Sequence, residues 1–325
     1  MANHEQYFAD EKSRKSYMTK QVISKIFIYL FLTIFALFLV TPFVIMVIGS
    51  FIDAEEFHMF SEQADITHLA FKNWGFSNYK IVFAKQSVDS LTGDTIVKNG
   101  YNFGAYFLNT FIVAVGSTTV TVVTAVLAAF AFARLEFKGK EALFAILLGT
   151  MMIPGEMMVI TNYMTVLSID WTNTFAALIL VHGVSVFYVF YLRQTFQQIP
   201  NELYLAAKVD GVSDIKYLLK VMIPIAMPTI TTIIILSMMG AWNSYVWPQL
   251  VTNNQGWKYS PDPDNPHTMM LVSNGLRSLF AQGDDSSYDA IKLAGSMVIS
   301  MPLFVVFICF RKYIMKGVSR SGIKG

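Results

Sequence analysis

The sequence predicts an all-α, polytopic membrane protein with six transmembrane helices. Of its 325 residues, 54% are hydrophobic and only 14% are charged, against about 25% charged in a soluble domain. The apolar residues gather into runs of about 20, the length that crosses a roughly 30 Å hydrocarbon core at 1.5 Å per helical residue. No stretch alternates apolar and polar residues for long, as the strands of a membrane barrel must.

The elements follow in order. Residues 1–25 form a polar, basic tail carrying Lys12, Arg14, Lys15, Lys20 and Lys25, and residues 26–325 form the membrane domain. The first span is about 26–50; it is too long for a signal-peptide core and reads as an uncleaved span. A polar loop over 51–105 carries aromatic anchors such as Trp74 and Tyr79. The second span, about 106–133, is rich in Thr, Ser, Gly and Ala, small residues that let helices pack closely in lipid. A basic turn, 134–140, leads to a third span, about 141–164, which contains Pro154-Gly155-Glu156. The fourth span is about 175–192 and the fifth about 229–250, separated by a polar stretch over 193–228. A loop with the Pro-rich turn 260–266 precedes the sixth span, about 290–310, and a basic tail follows.

Six spans put both termini on one side. That side holds 17 of the 24 Lys and Arg residues. The positive-inside rule therefore makes both termini, and the 193–228 stretch with them, cytoplasmic.

The chain lacks the residues of a built-in engine. The nearest approach to a phosphate-binding loop is Gly317–Lys324, where Ile323 stands in place of the required lysine. The five histidines are far apart in sequence and Cys309 is the single cysteine, so no metal or disulfide framework is predicted. Nothing points to an enzyme active site. A secondary carrier normally places several ionisable groups inside its spans, and here only Glu156 and His182 lie well inside the apolar runs.

The 193–228 stretch reads as two short helices. Pro200 ends the preceding turn, Asn201 is an N-cap candidate, and Glu202 lies at the positive end of the helix dipole. The first helix runs to about Val209; Gly211 is placed for the left-handed residue that closes a helix, and Ser213 for the cap of the second, which Pro224 stops. Taken alone, the stretch fits a docking surface for a partner protein and an interfacial anchor helix equally.

Its pattern resembles the cytoplasmic EAA loop of ABC importer permeases, P-x-E-L-x-E-A-A-x-x-D-G-A-S followed by I-x-L-P. Pro200, Glu202, Leu203, Ala206, Ala207, Asp210, Gly211, Ser213, Ile223 and Pro224 match; Leu205 replaces the motif's own glutamate and Val212 its small residue after the glycine. Asn109-Thr110, Ala128–Arg134, Pro154, Trp242-Asn243 and Gly322–Gly325 are similar to the carbohydrate-uptake, MalG-like branch of that family.

The resemblance implies a transmembrane permease subunit of a bacterial or archaeal plasma-membrane importer. It would form, with a second permease in a heterodimer, the pathway for a sugar or oligosaccharide. Two ABC ATPase subunits would bind the ATP, and an extracytoplasmic binding protein would deliver the solute; the chain itself would need no cofactor or metal. A permease for a polyol phosphate or a peptide, and a secondary carrier, remain as alternatives. Glu202, Leu203, Ala206, Ala207, Asp210 and Gly211 become the residues expected to couple to the ATPase. Glu156, Trp242 and Asn243 are pathway candidates. Glu156, roughly 20 Å along its span, reads as a polar contact to the partner permease or the outer headgroup region ahead of a pathway acid. Trp242-Asn243 fits a sugar-stacking wall or the interfacial aromatic belt, Trp247 reads as belt, and His182 reads as a packed interhelical residue.

Overall fold

A computed structural model describes residues 11–53, 56–58, 74–83, 103–252, 269–280 and 289–319. The Pro-rich turn 260–266, the terminal Gly322–Gly325 and most of the two long loops lie outside these residues. Among the described residues the regular structure is helical: α1 (Glu11–Phe51), α2 (Ser77–Phe83), α3 (Phe103–Arg134), α4 (Lys140–Thr150), α5 (Val159–Ser168), α6 (Phe175–Ile179), α7 (Val186–Gln197), α8 (Asn201–Val209), α9 (Asp214–Tyr217), α10 (Ile223–Trp242), α11 (Val246–Val251), α12 (Val272–Phe280) and α13 (Asp289–Ser319).

The chain divides into two compact units, 1–78 with 286–297, and 79–285 with 298–325. In the first, the end of α1 is pinned by Asn78, whose Nδ2 donates to Ser50 O at 3.1 Å and to Ile52 O at 2.6 Å. Phe51 stacks on Trp74 and meets Phe76 edge-on. From Tyr17 to Ile45 the apolar residues of α1 are exposed all round, as those of a helix surrounded by lipid or partner helices would be.

The second unit is built on α3. Val126, Ala129 and Phe130 of α3 pack with Leu192 and Phe196 of α7 and with Tyr217, Met222, Ala226 and Ile230 on the α9–α10 run. Nearer the start of α3, Val113 packs with Ala177 and Leu178 of α6, Val166 of α5 and Trp247 of α11. Close approach here depends on two glycines. A methyl on Gly116 would come within 2.7 Å of Ile179, and one on Gly183 within 2.6 Å of Val120 and 3.2 Å of the Leu180 carbonyl.

Among the described residues, four helices are long and apolar enough to cross a membrane: 17–51, 103–134, 214–242 and 289–311. The third expected span is not one straight helix. Its halves, Lys140–Thr150 and Gly155–Ser168, meet at 85°, because Pro154 has no amide to continue the first helix and a 3-10 turn, Gly155–Met158, restarts the second. The fourth, 175–192, is divided into α6 and α7. The intervening residues turn at Gly183, where the backbone lies close to α3 and Thr124 Oγ1 donates to Gly183 O at 3.0 Å.

Pro224 does not stop a helix, as the sequence predicts. Helical structure runs on from Asp214 through a wide π turn, Leu218–Met222, into α10. The proline ring would crowd the carbonyl four residues back, at Lys220. That carbonyl lies in the widened turn, where spacing is i to i+5.

Candidate functional site

The helix α8 and its surroundings form one site. α8 is nine residues long and none of them is buried. It does not start as the sequence predicts: the capping position is Pro200, without a side-chain bond, and Asn201 is the first helical residue. Proline has no side-chain acceptor, so Glu202 in the first turn is left to complement the helix dipole.

Its other end closes as expected. Gly211 has φ +72°. Val212 N donates to Ala207 O at 2.9 Å and Gly211 N to Lys208 O at 3.1 Å, the paired bonds of a Schellman stop. Ala207 and Val212, the two side chains that such a stop brings together, both pack against the second unit's core, as does Tyr204.

α8 therefore has two faces. Tyr204 and Ala207 face the core. Glu202, Leu205, Ala206 and Val209 lie on the opposite, exposed stripe at i, i+3, i+4 and i+7, with Leu203 exposed beside it. Of the two neighbouring alanines in the motif, Ala206 is exposed and Ala207 faces the core. Leu205, the departure from the motif, and Val209, 88% exposed, make the outer stripe apolar.

A clasp joins α8 to the foot of α9. Lys208 Nζ lies 2.7 Å from Asp214 Oδ1, and Tyr204 Oη donates to the same oxygen at 2.8 Å. The Tyr204 ring meets that of Tyr217 at 5.2 Å. The hydrogen bond to Asp214 raises the pKa of exposed Lys208 above the ordinary lysine value, so the pair stays charged at neutral pH. Partial burial, then the same carboxylate, raises the Tyr204 phenol.

Two arginines hold the ground from which α8 departs. Arg134, the last residue of α3, is 9% exposed. Its Nη2 donates to Phe196 O at 2.8 Å and to Ile199 O, carbonyls at the negative end of α7 and just before Pro200. Arg193 donates from Nε to Phe132 O at 3.1 Å, reaches both Glu141 oxygens, and lies 4.0 Å over the Phe144 ring. In the sequence Arg193 stands out only as a charge, and Arg134 only as a charge and as the end of the Ala128–Arg134 stretch.

The pathway candidates are dispersed. Glu156 is exposed in the 3-10 turn at the α4–α5 bend. Trp242 Nε1 donates to Ile299 O at 3.3 Å, and its ring lies 5.7 Å from that of Phe107. Asn243 caps α10 and returns its Nδ2 to Met239 O at 3.0 Å. None of these three lines the cavity found among α3, α6, α7, α10 and α11, which has a volume of about 280 Å³. Ser117, Thr121, Ser185, Tyr188, Ser237 and Ser244 line it instead. Trp247, read as a belt residue, is buried: its Nε1 donates to Ala177 O at 3.0 Å, and its ring meets His182 edge-on at 5.1 Å beside the cavity. The signal for the cavity was present as hydroxyl pairs four and seven residues apart, 117 with 121 and 237 with 244.

Residues 121–320 match the family described as "Binding-protein-dependent transport system inner membrane component". The chain is 24% identical over 303 residues to the arabinooligosaccharides transport system permease protein AraQ of Bacillus subtilis (strain 168), covering 93% of this chain and 97% of that protein. It is 31% identical over 221 residues to the probable ABC transporter permease protein PH1036 of Pyrococcus horikoshii, covering 67% of this chain and 74% of that one. Its fold is similar, at TM-score 0.67 and 19% identity, to a chain in the crystal structure of a bacterial ABC transporter involved in the import of the acidic polysaccharide alginate, over 94% of this chain and 99% of that one.

Proposed function

The chain belongs to the binding-protein-dependent transport system inner membrane component family, and from that membership we propose that it is a permease subunit of an ATP-driven sugar importer. In this reading, two permeases frame the pathway, two ABC ATPases bind and hydrolyse ATP below it, and a binding protein delivers solute from outside. Both termini and α8 face the cytoplasm, six crossings complete the membrane domain, and the chain has no nucleotide site of its own.

The observation that carries this reading is the two-faced geometry of α8. Its exposed stripe, Glu202, Leu205, Ala206 and Val209, offers a short apolar ridge to a groove on the ATPase. Tyr204 and Ala207, packed on the core, and the Asp214 clasp tie it to the membrane helices. Differential contact of that ridge with two ATPase states is what converts hydrolysis into movement. Asp210 and Gly211 act through geometry, since a misplaced stop would misaim the ridge. The sugar branch rests on the likeness to AraQ.

Proteoliposomes test the whole reading. The chain is reconstituted with a partner permease and ATPase, and uptake of radiolabelled arabinotriose is followed with ATP inside and binding protein outside. Accumulation is expected only with all components present. ATP-independent transport by the isolated chain would overturn the importer assignment in favour of a secondary carrier.

A further inference from the structure

The cavity in the second unit has a chemical character that the importer reading does not by itself require. Its described lining includes six hydroxyl side chains, one histidine and one tryptophan, and no Asp, Glu, Lys or Arg. We propose that this cavity is a subsite for a neutral, polyhydroxylated solute, and that it discriminates against carboxylated or phosphorylated ones. The proposal rests on the importer reading and adds a charge selectivity within this subunit.

Three features support it. The hydroxyls present mixed hydrogen-bonding capacity, as a sugar does. Ser117 Oγ donates to Val113 O at 2.7 Å, which leaves its lone pairs to accept. Ser185 Oγ accepts from Tyr188 N and Ser237 Oγ from Thr118 Oγ1, which leaves their protons to donate. The aromatic wall is fixed: the Trp247 indole is held by its bond to Ala177 O and by the His182 ring. A rigid aromatic face with a few placed polar groups suits the apolar C–H face of a pyranose or furanose ring.

The third feature is electrostatic. A carboxylate or phosphate moved from water into a membrane-depth cavity loses its hydration, and only a paired charge compensates that cost well. The positive end of α7 opens beside the cavity and would favour an anion, but Ser185 already caps it. The described lining thus has no charged side chain to pair with an anion, while its hydroxyls can satisfy those of a neutral solute.

Cysteine protection in the complete reconstituted transporter tests the proposal. Cys309 is the only native cysteine, so S244C and, as an independent reporter, S117C are made in a C309S background. The rate of labelling by a neutral methanethiosulfonate reagent is measured with arabinotriose, with trigalacturonate, or with neither. Several-fold slowing by arabinotriose and none by trigalacturonate is expected at both positions. Equal or better protection by trigalacturonate overturns the charge selectivity. Failure of the reagent to reach either cysteine, or of either sugar to protect, overturns the subsite. Those outcomes are distinct from failure of the importer reading, which would appear as loss of ATP-driven uptake in the same vesicles before any reagent is added.

Discussion

Replacing Arg134 should uncouple ATP hydrolysis from uptake. Its guanidinium joins the end of α3 to Phe196 O and Ile199 O, one residue before Pro200 and the start of α8. Its Nε finds no partner among the described residues, so the Nη2 contacts are what hold the buried side chain. A hydrogen bond to a charged group contributes about 1.5–3 kcal/mol net. One nitrogen shared between two carbonyls should be near the middle of the range set by one and two such bonds, so R134A should cost roughly 2–4 kcal/mol. Released locally, that shifts the balance between a held and a loose linker by roughly 30-fold or more. The assay is solute accumulated per ATP hydrolysed in proteoliposomes. R134A should keep ATPase activity and lose most coupled uptake. R134K retains a cation but only a point donor, and should be intermediate. Thermal stability and subunit assembly, measured alongside, separate misaiming from misfolding. R134A assembling normally with wild-type uptake per ATP would refute the reasoning.

Two further substitutions test the backbone. At Gly211 no atom lies within 4 Å of an added methyl, so the penalty is conformational: G211A should cost about 1–2 kcal/mol for the left-handed backbone. G211V, with a stiffer β-branched side chain, should cost more, and both should lower uptake while membrane insertion, measured by fractionation, is unchanged. G183V must displace Val120 and meets the Leu180 carbonyl. It should cost about 1–3 kcal/mol as overpacking, read as a lower melting temperature of the detergent-solubilised protein, whereas G149A, inside a helix with open space around it, should leave it unchanged or raise it by up to about 1 kcal/mol's worth.

The long apolar helices were legible because lipid forces every backbone amide to be satisfied within the segment, and that requires unbroken runs. The same rule concealed the broken elements. Residues 141–164 and 175–192 are apolar over most of their length, so Pro154 and Gly183 were visible while the bend and the division they cause were not. Pro224 misled for a local reason, since a widened turn can absorb a proline that a regular helix cannot. The Asp210-Gly211 stop was legible because a left-handed residue after a helix so strongly favours glycine. Which alanine faces outward was not, because Ala206 and Ala207 differ only in whether the core lies behind them. The cavity needed the juxtaposition of five helices, and its hydroxyls, read singly, look like close-packing residues. Trp247 has the chemistry of a belt residue, and only its bond to Ala177 O reveals it as a wall.

The continuity of α9, the π turn and α10 makes residues 214–242 a single strut of 29 residues, about 43 Å long at 1.5 Å per residue. Its foot is Asp214, gripped by Tyr204 and Lys208 of α8; its upper turns carry Ser237, Gly240 and Ala241 at the cavity wall. A stiff member cannot be tilted at one end alone. A shove of α8 would thus arrive at the hydroxyl wall as displacement along or across the strut, with the π turn its most compliant joint. The widened turn that admits Pro224 would then set how much of a push on α8 reached the cavity and how much was spent as local flexing.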